Sequence, residues 1–186
     1  MDHSETFHRN SLRLNDFDYS QIGAYFVTIC TKNRQCLFGK IQHGTMQSSP
    51  FGRVASAQWQ QLPYRFPYLE FGEWVIMPNH IHGILVITGR GEASQDKRSC
   101  SPELLIEDAS PLRPNGTTPG SVGAIIQIYK SITSRKISTQ AKNLKRSVWQ
   151  RNYFEHIIRN EREFLAISNY ILTNPQNWEK DSEYMG

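Results

Sequence analysis

The spacing of hydrophobic and polar residues changes period several times along the chain, and each change marks an element. Ala24 to Thr31 (AYFVTICT) is dense in aromatic and β-branched residues, which predicts a buried strand. Lys32 to Gln35 follows as a polar turn, and Cys36 to Ile41 as a short extended piece. Between Phe51 and Phe66, Ala55, Trp59 and Leu62 fall at helical spacing with Val54 beside them, until Pro63 and Pro67 close the run. Glu73 to Thr88 (EWVIMPNHIHGILVIT) holds two apolar runs either side of Pro78-Asn79, which predicts a β-hairpin whose returning strand starts at His80. Ser121 opens a helix with Val122, Ile125, Ile126 and Ile132 as its apolar positions. Ser147 to Phe154 (SVWQRNYF) predicts a strand, after which Glu155 and His156 read as polar residues at a helix start. Glu161 to Asn174 predicts the last helix, which Pro175 stops.

The order strand, helix, strand, strand, helix, strand, helix is that of an α+β, ferredoxin-like (split βαβ) fold. Its antiparallel sheet would carry helices on one face, with a C-terminal helix appended. A chain of 186 residues suits one domain spanning 1–186. Within it, residues 1–20 are polar and predict a loosely held arm. Residues 89–120 are rich in Ser, Pro, Gly and charge, with Leu104 to Ile106 as an apolar island, and predict a mobile insertion. With 38% hydrophobic and 20% charged residues, the composition is that of a soluble globular protein. No apolar run reaches the length of a membrane span, and the first residues lack the apolar centre of a secretory signal, so a cytoplasmic protein with no membrane partner is expected. Cys30, Cys36 and Cys100 form no CxxC pair and read as free thiols.

Charge adds one feature. Residues 121–152 hold seven basic side chains and no acidic one, against a net charge of +4 for the whole chain. Such a block is either a solvated face or the electrostatic footprint of a phosphate-backbone binder.

Side chains alternate along a strand, so His80 and His82 share one face with Ile84 and Val86, while Ile81, Leu85 and Ile87 share the other. A single strand histidine is usually structural; two on one face can grip one metal ion. On the last helix Phe164, Leu165, Ser168, Ile171 and Leu172 form the apolar stripe, and Tyr170 points away from its centre. Asn174 lies about 40° from Tyr170, one turn further along. Either Tyr170 is a boundary residue with its hydroxyl in water, or it is a nucleophile with a metal-directed oxygen above it. In the second case a divalent ion held by His80, His82 and Asn174 would polarise a phosphate, and the Tyr170 hydroxyl would attack phosphorus. Mixed nitrogen and oxygen ligation suits Mg²⁺ or Mn²⁺, although imidazoles alone favour Zn²⁺. Tyr129, in the basic helix beside Lys130, is a competing nucleophile. Tyr153 reads as core or as a stacking surface.

Met77-Pro78-Asn79-His80-Ile81-His82 resembles the HUH motif of single-tyrosine HUH endonucleases, two histidines around a hydrophobic residue. Residues 148–159 (VWQRNYFEHIIR) and 170–175 (YILTNP) resemble segments of the transposase branch. The likeness runs from about Arg13 to Trp178, apart from 89–120, and is nearest to the REP-associated tyrosine transposases. It implies a metal-dependent single-strand DNA endonuclease and strand transferase that nicks beside hairpin or repeat DNA. The products would be a 5′-phosphotyrosine and a free 3′-hydroxyl. Residue by residue, His80 and His82 match the metal histidines, Tyr170 the nucleophile, and Asn174 the polar third ligand, a position where some relatives carry Gln. Lys130, Arg135, Lys136, Lys145, Arg146 and Arg151 would then track the DNA backbone, with aromatic residues stacking unpaired bases. Monomer and homodimer both suit this family. Two other readings use the same sequence. One is a non-catalytic single-stranded nucleic-acid-binding module. The other is a small-nucleotide phosphohydrolase using metal-bound water, which the lack of a Gly-rich phosphate loop and of an acidic ligand cluster disfavours.

Overall fold

The computed structural model describes residues 21–88, 118–141 and 147–184. The expected N-terminal arm and nearly all of the 89–120 insertion lie outside them, as do Lys145 and Arg146.

Strand β1 (Gly23–Cys30) and strand β5 (His80–Ile87) are the two central strands, and the densest apolar sequences put them there. With β4 (Leu69–Ile76) and β6 (Phe154–Ile158) they form one antiparallel sheet in the order β4-β5-β1-β6, the expected ferredoxin-like order. Register decides what faces what. Ile29 pairs with Ile81 and Tyr25 with Leu85, and these face helices α1 (Pro50–Gln60) and α3 (Val122–Gln140) in the main core with Trp59, Ile125 and Tyr129. A short helix α2 (Leu62–Arg65) extends that layer. Thr28 pairs with His82 and Phe26 with Ile84 on the opposite face, where Ile84 packs with Ile158 and with Ile171 of helix α4 (Glu161–Thr173). The histidine face is thus the face that α4 covers.

Gly83 is required between the histidine and Ile84. A Cβ there would lie 2.6 Å from Trp59 Cζ2, so the indole packs directly on the strand backbone.

Several expectations are corrected. Strand β6 begins at Phe154, where the predicted strand ends, and Glu155 and His156 lie on it instead of starting a helix. Residues before it make only an isolated bridge from Trp149 to Thr31, and Lys130 Nζ donates to the carbonyls of Gln150 and Asn152 at 3.0 and 2.9 Å, so those groups are spent on a side chain. The extended piece after Cys36 is one arm of a hairpin, β2 (Gly39–Gln42) with β3 (Thr45–Ser48). Its His43-Gly44 loop has positive φ at both residues, as a type I′ turn demands. On α4, Leu165 and Leu172 are 60% and 59% exposed; Phe164 and Ile167 pack beneath with Ile171.

Candidate metal and nucleophile site

Each chemical group arrives on a different element. The tight connection Met77-Pro78-Asn79 turns β4 into β5, closed by the Met77 N–H donating to the His80 carbonyl at 2.8 Å. His80 and His82 are both almost wholly buried on the α4 face of β5, with ring centroids 4.3 Å apart. Asn160 caps α4 by accepting from the Glu163 N–H, which starts the helix at the correct residue to set Tyr170 over the sheet. The Tyr170 hydroxyl lies 3.1 Å from His82 Nε2 of the same chain. After α4 the chain tightens into a 3₁₀ segment, Asn174–Lys180, which buries Asn174 and returns Asp181 to the site. Tyr170 donates to Asp181 Oδ2 at 2.9 Å and Asn174 Nδ2 donates to the same oxygen at 2.7 Å.

The polar groups left over point to a cation. His80 Nε2 and Asn174 Oδ1 are both buried without a hydrogen-bond partner among the described residues. Buried polar atoms are rarely left so, and here both are lone-pair donors beside a third, His82 Nε2, and a carboxylate. Ligand atoms of His80, His82 and Asp181 lie within 4.8 Å of one another. The donor set therefore fits a small divalent ion.

Electrostatics agree. Burial, and then the neighbouring His82, hold His80 well below the ordinary imidazole range, so it is neutral and fit to ligate. Burial alone would raise Asp181, but contacts with His82 and Asn174 and the Glu183 N–H outweigh it and keep the carboxyl ionised, below the usual range. Burial and then the Asp181 carboxylate push the Tyr170 phenol above its ordinary value.

His80, His82, Tyr170 and Asn174 thus meet, as the sequence led us to expect. Asp181 was not among the expected residues. It follows Pro175 in a stretch with no apolar period, and nothing in its spacing marks it. The competing Tyr129 is 1% exposed, donates to the Ala55 carbonyl at 3.0 Å, and is pushed far up by burial. Tyr153 donates to Glu155 Oε2 at 2.7 Å beneath Lys130, whose ammonium lies 5.6 Å from the ring centroid. Among the basic residues, Arg135, Lys136 and Arg151 are exposed, whereas Lys130 turns its ammonium onto the loop before β6.

Fold and site together define a ferredoxin-like α+β protein with a buried histidine pair facing a helix-borne tyrosine. No family model matches the sequence. The chain is 41% identical over 179 residues to an uncharacterized protein of Haemophilus influenzae, a match covering 96% of this chain and 94% of that one, and it belongs to that protein's family. Among solved structures, a REP-associated tyrosine transposase bound to a REP hairpin superposes with a TM-score of 0.56 at 18% identity, over 90% of this chain and 74% of the other. The fold is shared between them.

Proposed function

We propose that the chain is a metal-dependent single-strand DNA endonuclease and strand transferase, a transposase of the REP-associated tyrosine type, acting on hairpin or repeat DNA. The observation that carries this reading is the meeting of the Tyr170 hydroxyl with His82 and Asp181 beside two buried, partnerless ligand atoms. The fold shared with a hairpin-bound transposase supports the substrate class. His80, His82 and Asn174 would hold Mg²⁺ or Mn²⁺, which when bound polarises the scissile phosphate and offsets its charge. The Tyr170 hydroxyl gives up its proton as its oxygen attacks, and the Asp181 carboxylate that it already donates to, 2.9 Å away, is placed to take it. The Tyr170 oxygen bonds to phosphorus, the bond from phosphorus to the 3′-oxygen breaks, and that oxygen takes a proton from water.

Purified protein incubated with labelled single-stranded hairpin DNAs and Mn²⁺ should give a covalent adduct on a denaturing gel. The adduct should vanish in Tyr170→Phe and His82→Ala and survive in Tyr129→Phe. Tight binding without adduct or cleavage under any divalent ion would replace this reading with that of a non-catalytic nucleic-acid-binding module.

A further inference from the structure

The two histidines are oriented by unlike partners. His82 Nδ1 lies 2.9 Å from Thr28 Oγ1, a hydroxyl that can rotate to donate or accept. His80 Nδ1 lies 2.8 Å from Asn79 Oδ1, and this partner cannot change role. Asn79 is wholly buried, and its Nδ2 donates to the Glu183 carbonyl at 2.8 Å and the Arg34 carbonyl at 3.2 Å. Turning the amide over would set oxygen against two carbonyl oxygens. Asn79 Oδ1 is therefore fixed as an acceptor, His80 Nδ1 must carry a proton toward it, and Nε2 is left facing the site with no partner among the described residues.

We infer that Asn79 is a positioning residue that sets the tautomer of His80 for metal binding. The same amide latches the segment carrying Asp181, because the Glu183 carbonyl it holds is two residues beyond that carboxylate. Arg34 reinforces the latch through its Nε contact with Glu183 Oε2 at 2.9 Å. One side chain thus ties the strand-borne ligand to the C-terminal acid. The inference rests on the metal site proposed above.

The test is calorimetric titration of Mn²⁺ into the ion-free full chain and into Asn79→Leu and Asn79→Asp. Asn79→Leu removes the acceptor and should weaken Mn²⁺ binding about 10–100-fold, the usual cost of losing a partner behind a ligand. Asn79→Asp keeps an acceptor for Nδ1–H but sets its other oxygen against the Glu183 and Arg34 carbonyls, so it should hold the His80 proton on Nδ1 while recovering only part of that loss. Equal affinity in Asn79→Leu and the parent, or a His80 proton on Nε2 in Asn79→Asp, overturns the inference. Absence of Mn²⁺ binding by the parent defeats the metal reading instead. Nitrogen NMR of His80 in the ion-free parent needs no variant: a proton on Nδ1 is expected, and one on Nε2 overturns the assignment.

Discussion

Lys130 shows how one residue can look like a ligand contact and act as a brace. Its ammonium donates to three successive carbonyls, those of Gln150, Arg151 and Asn152, and fixes the loop that delivers β6 to the sheet. Burial brings its pKa down to about 8. A folded pKa below the unfolded one, ~10.4, means that the unfolded chain binds the proton more tightly between those values. Stability should therefore rise as pH climbs from about 8 toward 10.4. Denaturant melts of the parent and Lys130→Met over that range should show the parent gaining relative to the variant, and a constant difference would refute the assignment. The sequence offered Lys130 as one of six equivalent cations. Only packing distinguishes it, because charge patterning says nothing about which lysine a loop will fold over.

At the scale of elements, strand β5 must meet an indole on one face and present its histidine pair on the other, and Gly83 reconciles the two. Gly83→Ala would push a methyl into Trp59 and should destabilise the fold by about 1–3 kcal/mol, measurable by urea unfolding. No loss of stability would mean that the strand and indole separate freely. The hairpin, both long helices and the shared face of His80 and His82 were legible in sequence, because period-2 and period-3.6 patterns are local. Tyr170 and Asn174 were legible for the same reason, one turn apart on α4. Strand β6 was misplaced by its run-up, since Trp149 and Tyr153 look like strand residues but serve a loop held by Lys130. Asp181 stayed hidden because its position is set by a 3₁₀ segment and by Asn79, more than a hundred residues earlier.

For the molecule as a whole, the two faces of the sheet divide the work. The α1–α3 face holds most of the apolar core, and the α4 face holds the histidine pair and Tyr170 over a smaller cluster. Among the described residues, no helix is long and apolar enough to cross a membrane. If Arg135, Lys136 and Arg151 contact DNA phosphates, replacing all three with Gln should lower the slope of log affinity against log salt by about 2, at roughly 0.7 per single-strand contact. Binding titrations across a salt series read this directly, and an unchanged slope would place the DNA elsewhere.

The site draws its groups from Thr28 through Glu183, so it has a temporal order as well as a geometry. Chains are made from the N-terminus, and the histidine-bearing strands emerge long before the tyrosine and its acid. A nascent chain, or one cut short before Asp181, carries both imidazoles without the carboxylate that Tyr170 donates to. Assembled in this order, the site would complete itself only once the last turn of the described chain had been laid down.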